Sequence, residues 1–308
     1  MLPIIDLHCD TIHALHAGER SGNLGLSSNA HVDLRWMDGA GTVTTCFALF
    51  VDAHAHASPW SHANKLYERF QQELHASGSQ IVQVLSPKEH LEGPMHQAIL
   101  SVEELGILEG RLDRIAVLAS WGVRLATITW NHENELGYPH HQRGDLKPFA
   151  YEVIEAMEHH KILVDVSHLN DAGFSSVAGF AKRPFIASHS NARAVTNHSR
   201  NLSDGMIEKI ADAGGIIGLN FCPSFLSEDW GHSSIEAMVA HAMHIHQVGG
   251  SSVLALGSDF DGISGTLDVE HYPQLATLHE ALLKAGLSTD TLGKMWYGNA
   301  LRVLSEGF

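Results

Sequence analysis

Residues 4–10 read Ile-Ile-Asp-Leu-His-Cys-Asp, an apolar run that ends on a histidine and an aspartate two positions apart. In a β-strand, residues i and i+2 point to the same face, so His8 and Asp10 can reach one small ligand such as a metal ion. One imidazole and one carboxylate are too few to hold a metal. If this interpretation is right, other parts of the chain must supply further ligands.

Short apolar, β-branched runs recur along the chain and alternate with segments of helical periodicity. Strands are predicted over Ile4–His8, Val43–Phe50, Ile99–Glu103, Leu125–Trp130, Ile162–His168, Pro184–Ser190, Gly215–Phe221 and Ser252–Ser258. Helices are predicted over Leu108–Trp121, Pro148–His160, Ser203–Ala213 and Ser233–Val248. Eight strands that alternate with helices predict an α/β fold, a (β/α)8 barrel of the TIM type that forms a single domain over residues 1–308.

Residues 52–88 do not fit this alternation. They are rich in His, Ser and Gln and contain a helical piece over Asn64–His75, so we predict an elaborated βα connection near the mouth of the barrel. The run Ile81–Leu85 is either an extra strand or a replacement for one of the eight. An open doubly wound sheet is less favoured, because no Gly-x-Gly-x-x-Gly turn follows the first strand.

Composition excludes several classes of partner. Asp and Glu number 35 against 19 Lys and Arg, a formal charge of -16, which disfavours binding to nucleic acid or an anionic membrane surface. No apolar run approaches the ~20 residues of a membrane-spanning helix. Three scattered cysteines and the absence of a secretory leader before Ile4 predict reduced thiols and a cytoplasmic location.

Most of the predicted strands end in residues that bind metals or transfer protons. These residues are His8 and Asp10, Glu103 with Glu104 as its competitor, His168, His189, and Asp259 with Asp261. The C-terminal ends of barrel strands converge on one face, where the active sites of such barrels lie. The sequence therefore predicts a metal site at this face.

Zinc accepts imidazole and carboxylate ligands, and two neighbouring ions need a bridging carboxylate to relieve their repulsion. We expect His8 and Asp10 to hold one ion, His168 and His189 the other, and Glu103 to bridge them. A water between the ions would be acidified toward hydroxide while the metals polarise a carbonyl, which describes metal-assisted hydrolysis.

An arginine shortly after a metal ligand can clamp a substrate carboxylate with two hydrogen bonds. Arg193 and Arg200 both follow His189 closely. Spacing alone leaves the choice between them open.

The chain carries eight motifs in a characteristic order. They are Asp-Leu-His-Cys-Asp (6–10), Ser-Val-Glu (101–103), Gly-Val-Arg-Leu-Ala-Thr-Ile-Thr-Trp-Asn (122–131), Val-Asp-Val-Ser-His (164–168), Ser-His-Ser-Asn-Ala-Arg (188–193), Asn-His-Ser-Arg-Asn (197–201), Gly-Ser-Asp-Phe-Asp-Gly (257–262) and Gly-Asn-Ala-Leu-Arg (298–302). With these motifs the chain resembles the membrane (renal) dipeptidase family of binuclear zinc peptidases, which have amidohydrolase-like barrels. The resemblance extends nearly from end to end.

The resemblance implies roles for individual residues. It implies that Glu103 is shared between two zinc ions, with His8 and Asp10 on one and His168 and His189 on the other. It also selects Arg200 over Arg193 for the terminal carboxylate of the substrate, and it gives Asp259 the proton-transfer role.

One position departs from the family pattern. Many members carry a substrate-binding histidine after the fourth strand, in a Thr-His context, whereas here Thr129 precedes Trp130. Asn131 or His132 is the candidate to take over that role.

The sequence thus predicts a zinc-dependent dipeptidase that uses two Zn²⁺, or other divalent ions, and a metal-bridging hydroxide on small dipeptide substrates. One alternative is another amidohydrolase of the same barrel type, acting on a lactam or an N-acyl amino acid. A second is a barrel that binds metal without turnover. Whether the chain forms a homodimer stays open.

Overall fold

The computed structural model, which describes residues 3–25, 29–85, 95–228 and 230–306, contains a large parallel β-sheet. The strands of this sheet are β1 (Ile4–Cys9), β2 (Val43–Phe50), β3 (Ile81–Gln83), β4 (His96–Glu103), β5 (Val123–Thr127), β6 (Leu163–Asp165), β7 (Ile217–Leu219) and β9 (Leu254–Leu256). Their order is β6-β5-β4-β2-β1-β9-β7, and β3 pairs with the first part of β4. Outside the sheet, β8 (His232–Ser233) pairs with β10 (Thr266–Leu267).

Helices connect most of the strands. They are α1 (Thr11–Ala17), α2 (Leu34–Ala40), α3 (Pro59–Ala76), α4 (Arg114–Ser120), α5 (Pro148–His159), α6 (Asp171–Phe180), α7 (Asp204–Asp212), α8 (Pro223–Leu226), α9 (Ile235–Gly249), α10 (Leu275–Ala285), α11 (Thr289–Gly293) and α12 (Asn299–Glu306). Short 3₁₀ turns cover Leu105–Leu108 and Tyr272–Gln274, and a π-helical turn covers Lys294–Gly298. Among the described residues, no helix combines the length and the apolar character that a membrane crossing requires.

The sheet is covered on both faces. Every residue of β1 and of β4 is buried, as expected for parallel strands whose two faces are both covered. The prediction of an α/β fold is confirmed, and the parallel sheet is curled. The curl matters for function because it brings the C-terminal ends of β1, β4, β6 and β9 together.

The predicted strand Pro184–Ser190 differs in the structure. It forms single parallel bridges, from Ile186 to Asp165 of β6 and from Ala187 to Ile217 of β7, rather than a continuous strand. The reason is that side chains replace the backbone ladder: Ser188 N–H donates to Asp165 Oδ1, and the next N–H donates to a serine hydroxyl.

The connection predicted over residues 52–88 contains α3 and β3, while its residues 86–88 lie outside the described part of the chain. The helix is longer than the predicted Asn64–His75. It begins after Ser58, whose Oγ accepts from Ser61 N–H, with Pro59 in the first turn. The run Ile81–Leu85 contributes β3, an additional strand beside β4.

The buried His241 on α9 is expected to make the free energy of unfolding depend on pH. Its buried ring accepts from Ala192 N–H at Nδ1 and donates to Leu226 O from Nε2, so the neutral form is required. Burial lowers its pKa from 6.5 to about 4. Between pH 6.5 and pH 4, His241 is protonated in the unfolded chain but not in the folded one. The free energy of unfolding therefore keeps its full His241 contribution above pH 6.5 and loses it as the pH falls toward 4, by up to about 3 kcal/mol in total.

Denaturant unfolding of the wild type and His241→Gln at pH 7 and pH 5 measures this effect. The difference in unfolding free energy between the two proteins should shrink at pH 5, because glutamine has no proton to gain. A difference that is the same at both pH values would contradict the assignment.

Candidate metal centre

Six of the predicted residues meet in one buried cluster at the C-terminal ends of the strands. They are His8, Asp10, Glu103, His168, His189 and Asp259, each no more than 8% exposed. Three overlapping sets have ligand atoms within 4.8 Å of one another: His8-Asp10-Glu103, Glu103-His168-His189 and His8-His189-Asp259. This set of imidazole and carboxylate groups suits a divalent ion such as zinc.

The two oxygens of Glu103 face different partners. Oε1 lies 2.9 Å from His168 Nε2 and 3.5 Å from His189 Nε2, and these two ring nitrogens are 3.1 Å apart. Oε2 lies 3.5 Å from His8 Nε2, which is itself 3.5 Å from Asp10 Oδ2. Glu103 thus stands between two groups of metal-ligating side chains.

Two atoms in the cluster have no hydrogen-bond partner among the residues that the structure describes. His8 Nε2 and Asp10 Oδ1 are buried and unpaired. Buried polar atoms are nearly always satisfied in native proteins, so unpaired atoms within a group of metal-ligating side chains fit a cation site. A cation bound between them would satisfy both.

Two carboxyl groups of the cluster, those of Glu103 and Asp259, have a raised pKa. Burial is the main cause that raises the pKa of Glu103 to about 7, and Asp10 and Asp259 add to it while His8 opposes them. Burial also raises the pKa of Asp259. A divalent cation would relieve this repulsion.

The pKa values of the histidines in the cluster are shifted in different directions. Burial, reinforced by nearby positive groups, holds the pKa of His168 and of His189 well below the usual range, so both rings are neutral as metal ligation requires. For His8, burial acts in the same direction, but the carboxylates of Glu103 and Asp10 outweigh it and raise the pKa.

Backbone geometry also marks the cluster. His168 and Asp259 have φ values of +70° and +63°, in the left-handed region that side chains other than glycine rarely adopt. Such strain persists where the surrounding structure over-determines it, and it concentrates at functional sites. The two turns aim both side chains into the cluster.

Glu103 and Glu104, which the sequence could not separate, lie in different environments. Glu104 points away from the cluster and accepts from Gly106 N–H, Trp130 N–H and Asn134 Nδ2 at 2.5–2.7 Å. It therefore holds the loop that carries Trp130, while Glu103 belongs to the cluster.

Of the two residues predicted to replace the family's substrate-binding histidine, Asn131 lies closer to the cluster than His132. Asn131 lines the cavity beside the cluster, and its Oδ1 lies 3.1 Å from His168 Nδ1. The side chain of His132 is 44% exposed, lies 3.9 Å from Asp52, and is not part of the cavity lining. The structure therefore brings Asn131 to the cluster and leaves His132 outside it.

Arg200 is buried beside the cluster. Its Nη1 donates to Ser190 Oγ and its Nη2 to His189 O, both at 3.2 Å, while its buried Nε has no partner in the described part of the chain. Arg193, in contrast, donates through two nitrogens to the carboxylate of Asp171, each at 2.7 Å. Of the two arginines, only Arg200 is close to the cluster and has an unused donor.

A cavity of about 260 Å³ opens beside the cluster. Its lining combines polar groups, among them Asp10, Glu103, His168 and Asp259, with the apolar side chains of Phe50, Trp130, Phe225 and Ile263. Trp130 contacts Phe50 edge to face at 4.7 Å, and its ring lies 6.4 Å from that of His168. A cavity of this kind suits a small ligand with both polar and apolar parts.

Sequence reasoning missed Asn220. Its Nδ2 donates to Asp259 Oδ2 at 2.9 Å and thereby orients that carboxylate. Asn220 directly follows β7, so the rule that found the other strand-end residues would have found it too. The apolar lining residues give no such signal, because their types are those of any core.

The family model for membrane dipeptidases, peptidase family M19, matches residues 1–307. The chain belongs to this family. Its resemblance to the membrane dipeptidase family, predicted from the motifs, is confirmed. The family is one of metallopeptidases, which agrees with the cluster of metal-ligating side chains.

Relatives of this M19 chain include dipeptidases. A protein of Klebsiella pneumoniae encoded in the pqqA 5' region is 31% identical over 220 residues, 68% of this chain and 81% of that protein. Dipeptidase aclJ of Aspergillus oryzae is 30% identical over 220 residues, 68% of this chain and 51% of that protein. The match thus spans about half the length of the fungal enzyme.

Solved structures share the fold. A metallopeptidase from Rhodobacter sphaeroides, liganded with a phosphinate mimic of the dipeptide L-Ala-D-Ala, superposes with a TM-score of 0.90 at 24% identity. The superposition covers all of this chain and 99% of that one.

Proposed function

We propose that this chain is a binuclear zinc dipeptidase that hydrolyses the amide bond of dipeptides. The observation that carries the proposal is the position of Glu103, whose two oxygens face two separate donor groups. One ion needs no such arrangement, whereas two neighbouring ions need a shared carboxylate. Membership of the M19 family and the dipeptidases among its relatives support the choice of substrate.

Under this proposal His8, Asp10 and Glu103 hold one ion, and Glu103, His168 and His189 hold the other. The bound ions would polarise the amide carbonyl and acidify the attacking water toward hydroxide. Zinc suits these ligands best, although cobalt and manganese accept similar ones.

Asp259 is the proposed proton carrier. Asn220 holds its Oδ2, so the other oxygen, Oδ1, is the one that faces His8 at 4.0 Å. Because burial raises the pKa of this carboxyl, it can accept the proton of the attacking water and pass it to the leaving amine as the C–N bond breaks.

Arg200 is the proposed anchor for the terminal carboxylate of the dipeptide. Its unpaired Nε offers the charged hydrogen bond that the substrate would complete. A carboxylate anchor restricts the enzyme to substrates whose free carboxylate lies close to the scissile amide. This geometry favours dipeptides over longer peptides.

We also propose that the sheet closes into a (β/α)8 barrel that forms a single domain. The support is that the segment around Ile186 and Ala187 bridges β6 on one side and β7 on the other. These two strands are the ends of the sheet order. Closure there would complete the ring of strand ends around the metal ligands.

The proposal is tested by metal analysis together with a substrate panel. We expect about two zinc ions per chain and hydrolysis of dipeptides, with little or no turnover of dipeptide amides, lactams or N-acyl amino acids. Preferred turnover of a lactam or an N-acyl amino acid would replace the dipeptidase assignment with the corresponding amidohydrolase. Two ions without hydrolysis of any substrate would indicate a metal-binding barrel.

Arg200→Ala should raise KM for dipeptides roughly 10- to 100-fold, because a charged hydrogen bond to the substrate is lost. Zinc content should not change. Arg193→Ala is the matched control, since that guanidinium is already engaged by Asp171, and its KM should stay near the wild-type value. An unaltered KM in Arg200→Ala would remove the anchor role.

A further inference from the structure

Two buried aspartates behind the metal centre make the same set of contacts. Asp6 lies on β1 and Asp165 on β6, and neither lines the cavity. Each accepts from the backbone N–H and the hydroxyl of a serine on a neighbouring segment. The serines are Ser258, directly before Asp259, and Ser188, directly before His189.

The contacts of Asp165 use both of its oxygens. Oδ1 accepts from the N–H groups of Ser167 and Ser188, both at 3.0 Å. Oδ2 accepts from Thr127 Oγ1 at 2.9 Å and from Ser188 Oγ at 2.5 Å. The two backbone donors and the two hydroxyl donors are thus sorted onto different oxygens.

This arrangement determines the direction of the next hydrogen bond. Ser188 Oγ has one proton, and that proton is given to the carboxylate of Asp165, which has none to offer in return. Ser188 Oγ also lies 2.7 Å from His189 Nδ1, so at this contact the serine can only accept. His189 must therefore carry its proton on Nδ1, which leaves the Nε2 lone pair free.

The freed lone pair is the one that faces the metal centre. His189 Nε2 lies 3.5 Å from Glu103 Oε1 and 3.1 Å from His168 Nε2. His168 Nδ1 lies beside Asn131 Oδ1, which accepts its proton in the same way. Both imidazoles then point lone pairs at one place, where a bound cation would stabilise them.

Asp6 and Ser258 act on the backbone at the other side of the centre. Ser258 Oγ donates to Asp6 Oδ2 at 2.5 Å and accepts from Phe260 N–H at 3.2 Å. This pair of bonds spans Asp259 and supports its left-handed turn at φ +63°.

We infer that Asp165, acting through Ser188, selects the Nδ1–H tautomer of His189 and so presents Nε2 for metal binding. Asp165 and Ser188 are positioning residues, since neither contacts the cavity. Asp6 and Ser258 are also positioning residues, because their hydrogen bonds hold the backbone turn at Asp259. The inference rests on the proposed metal centre, because tautomer selection has its functional effect through a bound ion.

Asp165→Asn is the sharpest test. The amide oxygen must take the Oδ1 position, where two N–H groups donate, so the amide NH₂ occupies the Oδ2 position and donates to Ser188 Oγ. The serine proton is then free to go to His189 Nδ1, which favours the opposite, Nε2–H tautomer. We expect ¹⁵N NMR of the imidazoles in metal-free protein to show Nδ1–H in the wild type and a shift toward Nε2–H in the variant.

Zinc affinity gives the second measurement. In competition with a chelator, Asp165→Asn and Ser188→Ala should bind zinc about 10- to 100-fold more weakly than the wild type, the usual cost of losing a partner that orients a metal ligand. Thr127→Val is the matched control. It removes a hydrogen bond to the same carboxylate but leaves Ser188 and His189 untouched, so its zinc affinity should stay near the wild-type value.

An unchanged His189 tautomer in Asp165→Asn would overturn the inference, as would wild-type zinc affinity in both variants or an equal loss in Thr127→Val. If Asp165→Asn does not fold, Ser188→Ala decides, and retained Nδ1–H preference together with wild-type affinity would then overturn it. Failure of the proposed function is distinguishable: the wild type itself would bind no zinc, whatever tautomer its His189 shows.

Discussion

Glu103→Gln is expected to reduce the metal content from about two ions to one or fewer and to abolish most hydrolysis. Glutamine has a single oxygen, so its amide NH₂ must face either His8 or the pair His168 and His189, all of which lie within 3.5 Å of the present carboxylate. An NH₂ group cannot ligate a metal. We expect kcat/KM to fall by more than the roughly 10²- to 10³-fold that loss of one electrostatic stabiliser costs.

Metal analysis of dialysed protein and dipeptide kinetics measure both effects. Glu104→Gln is the matched control, because it changes the adjacent carboxyl, which is similarly buried and accepts hydrogen bonds from Gly106, Trp130 and Asn134. The control should keep two ions and show a lower melting temperature. A Glu103→Gln protein with two ions and near wild-type turnover would exclude the bridging role.

The second large effect is expected from Asp259→Asn. Asparagine keeps the size of the side chain but cannot accept and return a proton, so kcat should fall by about 10²- to 10⁴-fold, the usual contribution of a general acid or base. Because Asp259 is not among the proposed ligands, both ions should be retained. Turnover measured alongside metal content separates the two roles.

Loss of an ion in Asp259→Asn would instead place Asp259 in the ligand set, an arrangement that its proximity to His8 and His189 permits. Asp261→Asn is the control for the neighbouring acid. Asp261 accepts from Thr11 Oγ1 and His31 N–H and pairs with Arg20, so its replacement should lower stability and leave kcat within a few-fold.

Much of the fold follows from local patterns. The apolar runs and the helical spacing between them predicted the α/β class, and β2 has the predicted bounds, Val43–Phe50. The pattern failed at Pro184–Ser190, where polar side chains take over backbone hydrogen bonds that a strand would make. The local sequence cannot show that a side chain accepts these backbone hydrogen bonds, because the acceptor, Asp165, comes from another strand.

For the candidate site, too, the sequence predicts some features and leaves others undecided. Ligand types at strand ends are visible in the sequence because the C-terminal ends of parallel strands share one face. The choice between Glu103 and Glu104 is not visible, since adjacent residues point to opposite sides and one backbone turn, at φ +91° for Glu104, decides which side faces the cluster. Likewise, spacing in the sequence does not separate Arg193 from Arg200, whereas the structure gives them different burial and different partners.

The sequence by itself determined the class of the fold and the chemical types of the residues at the strand ends, since periodicity and residue chemistry are local properties. The tertiary structure decided how those residues share their hydrogen bonds. It placed Glu103 between two donor groups, left Arg200 with an unused donor, and put Ser188 between Asp165 and His189. These properties depend on distances between atoms far apart in the chain, which only packing sets.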